Sequence, residues 1–196
     1  MPYKKASQWF EGLYHDNKNS QEKIPWAKQC ANPMLLRYLQ EHQPHKGKAL
    51  VIGCGLGDDA HALVLAGHEV TAIDISQSAL DMAKERFFDS QINFVKQDIF
   101  EYEEKFDLVF EAFTIQSLPR KFRGQMIEAI AKTVAKEGRL LIVAHQQTQI
   151  FEGPPWPLTQ EEVESFSQHK LKMAFCEVVD IPSAISPKQF YACFER

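Results

Sequence analysis

Three glycines and one aspartate, set at fixed spacing, are the residues of this sequence best suited to chemistry. Gly53, Gly55 and Gly57 follow a short apolar run, and glycine lets the backbone turn sharply and a ligand approach closely. Asp74 stands 21 residues after Gly53, at the end of a second apolar run. In a doubly wound sheet, that spacing brings an acidic side chain to the ribose of a bound nucleoside. The segment therefore predicts a nucleoside-cofactor site, although a glycine turn taken alone is equally typical of a structural loop.

The charge of the loop narrows the class of cofactor. A dinucleotide-binding loop reads G-x-G-x-x-G, but this loop has Asp58 in place of the third glycine. A carboxylate there disfavours a pyrophosphate, and with it a nicotinamide-dependent reductase. Asp58, as the helix N-cap, and Asp59 instead suit a positively charged ligand without phosphate. S-adenosylmethionine, which carries a sulfonium and an ammonium group, is such a ligand.

The elements that must position these residues alternate between strand and helix. Apolar runs predict strands that end at Ile52 and that cover 70–73, 92–95, 106–110, 140–144, 172–181 and 189–195. Helical spacing predicts helices over 58–67, 76–87 and 127–134, together with a short helix opened by the capping box Thr159–Glu162. Ser76 and Asn32 are predicted as helix N-caps. The last two strands predict a terminal hairpin, which is not the usual ending of a dehydrogenase.

Three predicted strands each deliver an acid at their carboxyl end. Asp74, Asp98 and Glu111 follow the second, third and fourth strands. Because the carboxyl ends of parallel strands meet at one edge of a sheet, the three carboxylates are expected at the same edge. Taken singly, each acid is also typical of a solvated helix cap.

Composition excludes several classes of protein. The 196 residues are 44% hydrophobic, which predicts one α/β domain over 1–196. No apolar run reaches membrane-spanning length, and the N-terminus lacks the apolar core of a secretory signal. A net charge of −4 without a dense basic run argues against a nucleic-acid partner. Four scattered cysteines without C-x-x-C spacing predict no metal site and a cytoplasmic location.

Over nearly its whole length the sequence resembles the class I S-adenosylmethionine-dependent methyltransferases. It is most similar to the branch with the thiopurine, halide, thiol and tellurite-resistance methyltransferases. The resemblance is carried by Trp9, IPWAKQCANPMLLRYL at 24–39, the glycine loop with AIDIS, VKQDIF, and GPPWPLTQEEV at 153–163. It implies a Rossmann-like α/β fold, with a mostly parallel seven-stranded sheet, helices on both faces and a C-terminal antiparallel strand. It also implies that residues 1–30 form a lid over the cofactor and residues 31–196 the core.

The resemblance further implies the residues of the site. Those expected to bind S-adenosylmethionine, and its product S-adenosylhomocysteine, are Trp26, Gly53, Cys54, Gly55, Asp74, Ile75, Asp98, Ile99, Glu111 and Ile115. Those expected at the acceptor pocket are Trp9, Tyr14, Gln116, His145 and Trp156. Transfer of an activated methyl group needs alignment more than a general base, so no catalytic residue is identified. His145, Tyr14 and His15 are candidates for stabilising a thiolate, although a structural histidine and ordinary buried tryptophans are alternatives.

Two departures from the family pattern leave the methyl acceptor open. The usual W-D-x-G reads Trp26-Ala27-Lys28-Gln29 here, and Ala112 stands where an aromatic residue often follows the fourth strand. We predict a monomeric or weakly dimeric methyltransferase, without metal or membrane partner, that acts on a small thiol, halide or other soft nucleophile. An oxygen or nitrogen acceptor and a non-catalytic binding protein are the alternatives. A DNA amino-methylating enzyme is disfavoured, because its N-P-P-Y-like tetrad follows the fourth strand and GPPW here follows the fifth.

Overall fold

The computed structural model describes residues 2–43, 45–149, 152–181 and 183–196, with side chains from Trp9 onward. The chain divides into two compact units, Met1–Glu101 and Tyr102–Arg196. Both units contain parallel strands joined through helices, as the alternating pattern predicts.

In its described residues, the first unit contains three parallel strands and four α-helices. Its elements are α1 (Pro2–Asp16), α2 (Pro33–His42), β1 (Lys48–Ile52), α3 (Asp58–Leu65), β2 (Glu69–Asp74), α4 (Gln77–Arg86) and β3 (Asn93–Lys96). The strand β2 pairs with β1 on one side and with β3 on the other. Two predicted caps are confirmed, since the Asn32 side chain accepts from the Met34 N–H and the Ser76 side chain from the Ala79 N–H. The helix α1 was not predicted from the sequence, and β3 lies one residue later than expected.

The prediction that Asp58 caps α3 is wrong, because Gly57 occupies the cap and Asp58 is the first helical residue. Gly57 has a φ of +85°, which side-chain-bearing residues rarely adopt. A Cβ atom at this position would also lie 3.0 Å from the Phe94 ring and 3.2 Å from the Phe87 ring. Glycine is therefore required at the cap by both backbone conformation and packing. Asp58 is left free to make a side-chain interaction elsewhere.

Across the part of it that the structure describes, the second unit contains four strands and two α-helices. They are β4 (Phe106–Ala112), α5 (Arg123–Lys132), β5 (Val134–His145), α6 (Gln160–Glu164), β6 (Lys172–Asp180) and β7 (Lys188–Glu195). The strands β4 and β5 are parallel, whereas β7 is antiparallel to both β5 and β6, as the predicted terminal hairpin requires. The capping box at Thr159 and Glu162 is confirmed.

Two predicted boundaries in the second unit are wrong. Glu111 lies inside β4 rather than after it, and Val134 opens β5 instead of ending a helix. Val134 pairs with Phe106, and the register then jumps so that Leu108 pairs with Arg139. Val134 has the spacing of a helical residue but belongs to a strand. Its pairing with Phe106 lies before the bulge of β5, and the local sequence pattern gives no sign of that pairing.

The strand β7 supplies much of the core of the second unit. Residues 190–194 are each at most 2% exposed, since β7 lies between β5 and β6 and is covered on both faces. Burying a phenylalanine side chain fully stabilises a fold by about 1.5 to 3 kcal/mol, so this strand is a strong anchor. Among the helices of the described residues, none combines the length and apolarity needed to cross a membrane.

Candidate methyltransferase site

Asp74 organises the glycine loop of the first unit. Its buried carboxylate accepts hydrogen bonds from the Gly55 N–H and the Ser76 N–H, each at 2.9 Å. Burial raises the pKa of Asp74, while these two hydrogen bonds oppose the rise. A carboxylate has about four lone-pair positions, so the backbone donors of Gly55, Ser76 and Ile75 leave room for a hydroxyl group of a ligand. Asp74 therefore has a structural task besides the ribose contact expected from the sequence.

Gly55 lies close to the aromatic residues of the N-terminal segment. A Cβ atom at Gly55 would lie 2.9 Å from the Tyr14 hydroxyl, and the φ of +52° also favours glycine. The Tyr14 hydroxyl accepts a hydrogen bond of 2.7 Å from Trp26 Nε1. Burial and the nearby charge of Asp74 raise the pKa of Tyr14, so its hydroxyl stays protonated at neutral pH. Tyr14 can donate a hydrogen bond to a bound group but is unsuited to act as a base.

The structure brings Trp9, Tyr14 and Trp26 into one aromatic cluster with Phe10. The ring centroids of Trp9 and Trp26 are 5.7 Å apart in an edge-to-face arrangement, and Trp9 stacks on Phe10 at 4.0 Å. Trp9 is 40% and Trp26 39% exposed, so both indoles have surface available for a ligand. Predicted residues from both ends of the lid segment are thus brought together, while His15 is exposed on α1.

Glu11 joins the N-terminal helix to the start of α4, a contact that the sequence analysis missed. Its carboxylate accepts from the Ser76 hydroxyl at 2.7 Å and from the Ser78 hydroxyl at 2.6 Å. Partial burial works to raise the pKa of Glu11, but the hydrogen bonds from Ser78 and Ser76 outweigh it and lower the pKa. Glu11 stands 65 residues before Ser76, so local sequence patterns gave no indication of this contact.

The two aspartates of the first turn of α3 are engaged by the protein. Asp58 forms a bidentate ion pair with Arg86, with distances of 2.7 and 2.8 Å. Asp59 accepts from the Asn32 N–H at 2.6 Å, and burial raises the pKa of Asp59 to about 6. The expectation that Asp58 and Asp59 attract a cationic ligand is therefore wrong. Arg86 neutralises Asp58, and Asp59 is bound to the Asn32 backbone.

The remaining predicted cofactor residues of the first unit surround the ends of β2 and β3. The Gln97 N–H donates to the Asp74 carbonyl, and half-buried Asp98 accepts from the Phe100 N–H at 3.1 Å. Asp74 ends β2 and Asp98 follows β3, so both lie at the carboxyl ends of neighbouring parallel strands, as predicted. Ile99 is buried, whereas Ile75 is 39% exposed. Cys54 is buried, which raises the pKa of its thiol well above the usual value and keeps it uncharged.

Glu111 is a fully buried carboxylate of the second unit with one unused oxygen. Its Oε1 accepts from the Thr114 N–H at 2.6 Å and from the Ile115 N–H at 3.0 Å. Its Oε2 has no hydrogen-bond partner among the described residues. Burial raises the pKa of Glu111 to about 7, although hydrogen bonds from the Ile115 and Thr114 N–H groups and with the Thr114 side chain oppose the rise. Buried carboxylates are normally paired, so this arrangement fits a cationic ligand group such as an ammonium.

Three predicted acceptor residues, Gln116, His145 and Trp156, are connected in the second unit. Gln116 Oε1 accepts from the His145 N–H, and the Gln116 carbonyl accepts from the Trp156 N–H, each at 2.8 Å. Phe113 packs against the His145 ring with a centroid distance of 5.0 Å. Phe113 was missed because the sequence analysis looked for an aromatic residue at Ala112. Its φ of +63° is strained for a bulky residue, a feature that clusters at functional sites.

None of the four cysteines, all of which lie in the described residues, forms a disulfide: Cys30 is exposed, Cys176 is half-buried, and Cys54 and Cys193 are buried. Within the described parts of the chain, no three histidine, cysteine or acidic side chains are grouped so as to hold a metal ion.

Comparisons with known proteins show what this chain is similar to. The family model for thiopurine S-methyltransferase matches residues 12–190. Thiocyanate methyltransferase 1 of Arabidopsis thaliana is 28% identical over 177 residues, which cover 86% of this chain and 77% of the relative. A thiopurine S-methyltransferase of Legionella pneumophila is 27% identical over 163 residues, which cover 72% of this chain and 73% of the relative.

Solved structures share the fold at low sequence identity. The N-methyltransferase NodS of Bradyrhizobium japonicum, solved with S-adenosylhomocysteine, has a TM-score of 0.74 and 20% identity, covering 94% of this chain and 98% of its own. A second solved structure comes from work on the conversion of a disulfide bond into a thioacetal group during echinomycin biosynthesis. It has a TM-score of 0.80 and 16% identity, and the match covers 97% of this chain and 91% of that one. These likenesses confirm the predicted fold class, a Rossmann-like, mostly parallel seven-stranded sheet with antiparallel C-terminal strands.

Proposed function

Because the chain belongs to the thiopurine S-methyltransferase family and is therefore an S-adenosylmethionine-dependent methyltransferase, we propose that it methylates a small thiol or a related soft nucleophile. The observation that carries this proposal is that relatives from a plant and from a bacterium are both named for sulfur acceptors, thiocyanate and thiopurines. Halides belong to the same class of soft, polarizable nucleophile. The acceptor is therefore expected to be small and to need no macromolecular docking surface.

In the first unit, the residues around the glycine loop fit the nucleoside part of the cofactor. Asp74 would accept hydrogen bonds from the ribose hydroxyls, since its carboxylate retains acceptor capacity. Gly53 and Gly55 would permit close approach of the ligand to the backbone, and a Cβ atom at Gly55 would crowd the Tyr14 hydroxyl. Asp98 and Ile99 would bracket the adenine. Trp26, Cys54 and Ile75 are the other residues of the first unit that we propose to contact the cofactor.

In the second unit, Glu111 would hold the ammonium group of the cofactor through its unused Oε2 atom, with Ile115 beside it. S-adenosylmethionine, when bound, supplies a methyl group that its sulfonium charge already activates. The task of the chain is then to hold the acceptor in line and to exclude water. His145 is the polar candidate for stabilising a thiolate, because a thiolate and not a thiol is the effective nucleophile.

We also propose a cytoplasmic location, from the use of cysteine, and a monomer or weak dimer as the working state. Residues 1–30 are proposed to act as the lid of a single domain whose core is 31–196. The lid proposal is supported within the first unit by Glu11 and Tyr14, which reach from α1 to Ser76, Ser78 and the glycine loop.

A labelled methyl-transfer assay tests the proposed acceptor class. We expect kcat/KM to be higher for small thiols, thiocyanate and iodide than for phenols and amines of similar size. Heat-treated protein and a reaction without acceptor are the controls. A higher kcat/KM for a phenol or an amine would contradict the proposal and indicate an oxygen or nitrogen acceptor instead. Tight binding of S-adenosylhomocysteine without turnover of any acceptor would identify a non-catalytic binding protein.

Hydrogen exchange tests the lid. Residues 5–28 are expected to exchange more slowly with S-adenosylhomocysteine than without it. Glu11→Gln should speed exchange of this segment about tenfold to a hundredfold in both states, because hydrogen bonds to a charged group stabilise by about 1.5 to 3 kcal/mol. Glu22→Gln, at an exposed acid of the same segment, is the matched control and should change nothing. Equal exchange with and without ligand would refute the lid.

A further inference from the structure

Arg123 is the largest buried polar side chain of the second unit and has no place in the function proposed so far. It is 1% exposed although it stands in the first turn of α5. Its guanidinium forms an ion pair with Glu162, in which Nη1 lies 2.7 Å from one carboxylate oxygen and 2.6 Å from the other. Burying an arginine needs a counter-charge and hydrogen-bond acceptors, and Glu162 supplies the charge.

The rest of the guanidinium binds the backbone of the segment that carries Trp156. Nη2 donates to the Trp156 carbonyl, and Nη1 approaches the Pro157 carbonyl at 3.4 Å. Two consecutive carbonyl groups of a segment without regular structure are thereby tied to α5. An arginine can do this because its planar fork presents several donors in fixed directions. A lysine has one charged nitrogen and cannot reach a carboxylate and two carbonyl groups with the same geometry.

Glu162 fixes the other end of the same segment. It is the acidic member of the capping box of α6, and its carboxylate accepts from the Thr159 N–H at 2.9 Å. The same carboxylate therefore holds the start of α6 and neutralises Arg123. Between these two attachments, the Leu158 N–H donates to the His145 carbonyl at 2.9 Å. The stretch from Trp156 to Thr159 is thus held at each of its residues.

The held segment leads directly to the predicted acceptor residues. The Trp156 N–H donates to the Gln116 carbonyl, and the Gln116 side chain accepts from the His145 N–H. A change at Arg123 would therefore reach Trp156 first and Gln116 next, while the glycine loop has no part in these contacts. We infer that Arg123 and Glu162 are positioning residues that set the place of Trp156, and through it the affinity for the methyl acceptor. This inference rests on the proposed function, because it takes Trp156 as part of the acceptor pocket.

The test compares Arg123→Lys with the wild type in two ways. In methyl transfer to the best small thiol found with the wild type, KM for the thiol should rise about tenfold to a hundredfold, since small misplacements have effects of this size. The dissociation constant for S-adenosylhomocysteine should change less than twofold. In fluorine NMR of protein labelled with 5-fluorotryptophan, the Trp156 line should shift or broaden, while the Trp9 and Trp26 lines stay in place. Single Trp→Phe variants assign the three lines.

Arg139→Lys is the matched control, because Arg139 forms an exposed ion pair with Glu195 at 3.0 Å in the same unit. It should leave KM and the fluorine spectrum unchanged. Glu162→Gln keeps an acceptor for the capping box but removes the counter-charge, so it should move the same Trp156 line and raise the same KM if Arg123→Lys does not fold.

The inference is overturned if a folded Arg123→Lys protein keeps both the wild-type KM for the thiol and the wild-type Trp156 line. It is also overturned if both variants fail to fold, since the pair would then serve the fold as a whole. The NMR measurement needs no turnover. A wild-type protein that methylates no thiol would therefore refute the proposed function, while a shifted Trp156 line would still establish the positioning of the segment.

Discussion

Glu111→Gln is expected to weaken the binding of S-adenosylhomocysteine about tenfold to a hundredfold at pH values above about 8. Glutamine keeps an oxygen for the Thr114 and Ile115 N–H groups but loses the charge that would face the ammonium group of the ligand. A hydrogen bond to a charged group contributes about 1.5 to 3 kcal/mol, which corresponds to this range of affinity. Isothermal titration calorimetry measures the change directly.

The pH dependence gives the same variant a second readout. Burial raises the pKa of Glu111 to about 7 in the folded protein, against an ordinary value of 4.5. Between these values the folded protein holds a proton that the unfolded chain has lost, so the free energy of unfolding falls as pH rises from about 4.5 to about 7. The loss is complete above that window. Glu111→Gln should remove this part of the pH dependence of stability.

Ligand affinity should follow the opposite course. An ammonium group prefers the ionised carboxylate, so the wild type must release a proton from Glu111 on binding below about pH 7. Its affinity for S-adenosylhomocysteine should therefore rise with pH up to about 7 and then level off. The variant should show no such rise. Glu128→Gln, at an exposed ion pair with Lys132, is the control. Wild-type affinity and an unchanged pH profile in Glu111→Gln would remove Glu111 from the cofactor site.

Asp74→Ala should destroy cofactor binding and also destabilise the fold. Removing the carboxylate leaves the half-buried Gly55 N–H and the buried Ser76 N–H without their acceptor. Each unsatisfied buried donor costs about 1 to 3 kcal/mol, so the free energy of unfolding should fall by about 2 to 5 kcal/mol. The glycine loop would lose the contact that fixes it, and the ribose would lose its acceptor. Chemical denaturation and calorimetry measure the two effects.

Asp74→Asn separates the two roles of this residue. An asparagine oxygen can accept a hydrogen bond from one of the two backbone N–H groups. The free energy of unfolding should therefore fall less in Asp74→Asn than in Asp74→Ala, while both variants should bind S-adenosylhomocysteine weakly. Asp81→Ala, at an exposed carboxylate of α4 that pairs with Gln77, is the control and should affect neither property. If Asp74→Ala binds S-adenosylhomocysteine as the wild type does, the ribose assignment fails. If its stability is native, the account of the loop fails.

Local features of this protein could be predicted because they depend on residues close together in the chain. The N-caps at Asn32 and Ser76 and the capping box at Thr159 each join a side chain to a backbone N–H two or three residues away. Apolar runs likewise placed the strand that delivers Asp74. Such contacts are fixed by the geometry of a single turn or strand, so residue type and spacing suffice.

The spacing of the glycine loop and Asp74 also indicated the nucleoside site, because one strand-helix-strand unit sets that distance. The role of Asp74 toward the Gly55 N–H could not be derived in the same way. It depends on how the loop turns back beside β2, across a separation of 19 residues.

Only the tertiary structure decided which charged groups meet. Asp58 pairs with Arg86, which is 28 residues away in the sequence, and Arg123 pairs with Glu162, which is 39 residues away. Glu11 accepts a hydrogen bond from Ser76 over a separation of 65 residues. Each of these side chains would be an ordinary solvated charge in an isolated helix. Packing of the folded chain brings the partners together and removes water from around them. As a result, Asp58 pairs with Arg86, one oxygen of Glu111 is left without a hydrogen bond, and Arg123 is buried. Sequence spacing carries no information on these pairings, because they depend on which helix faces meet in the folded chain.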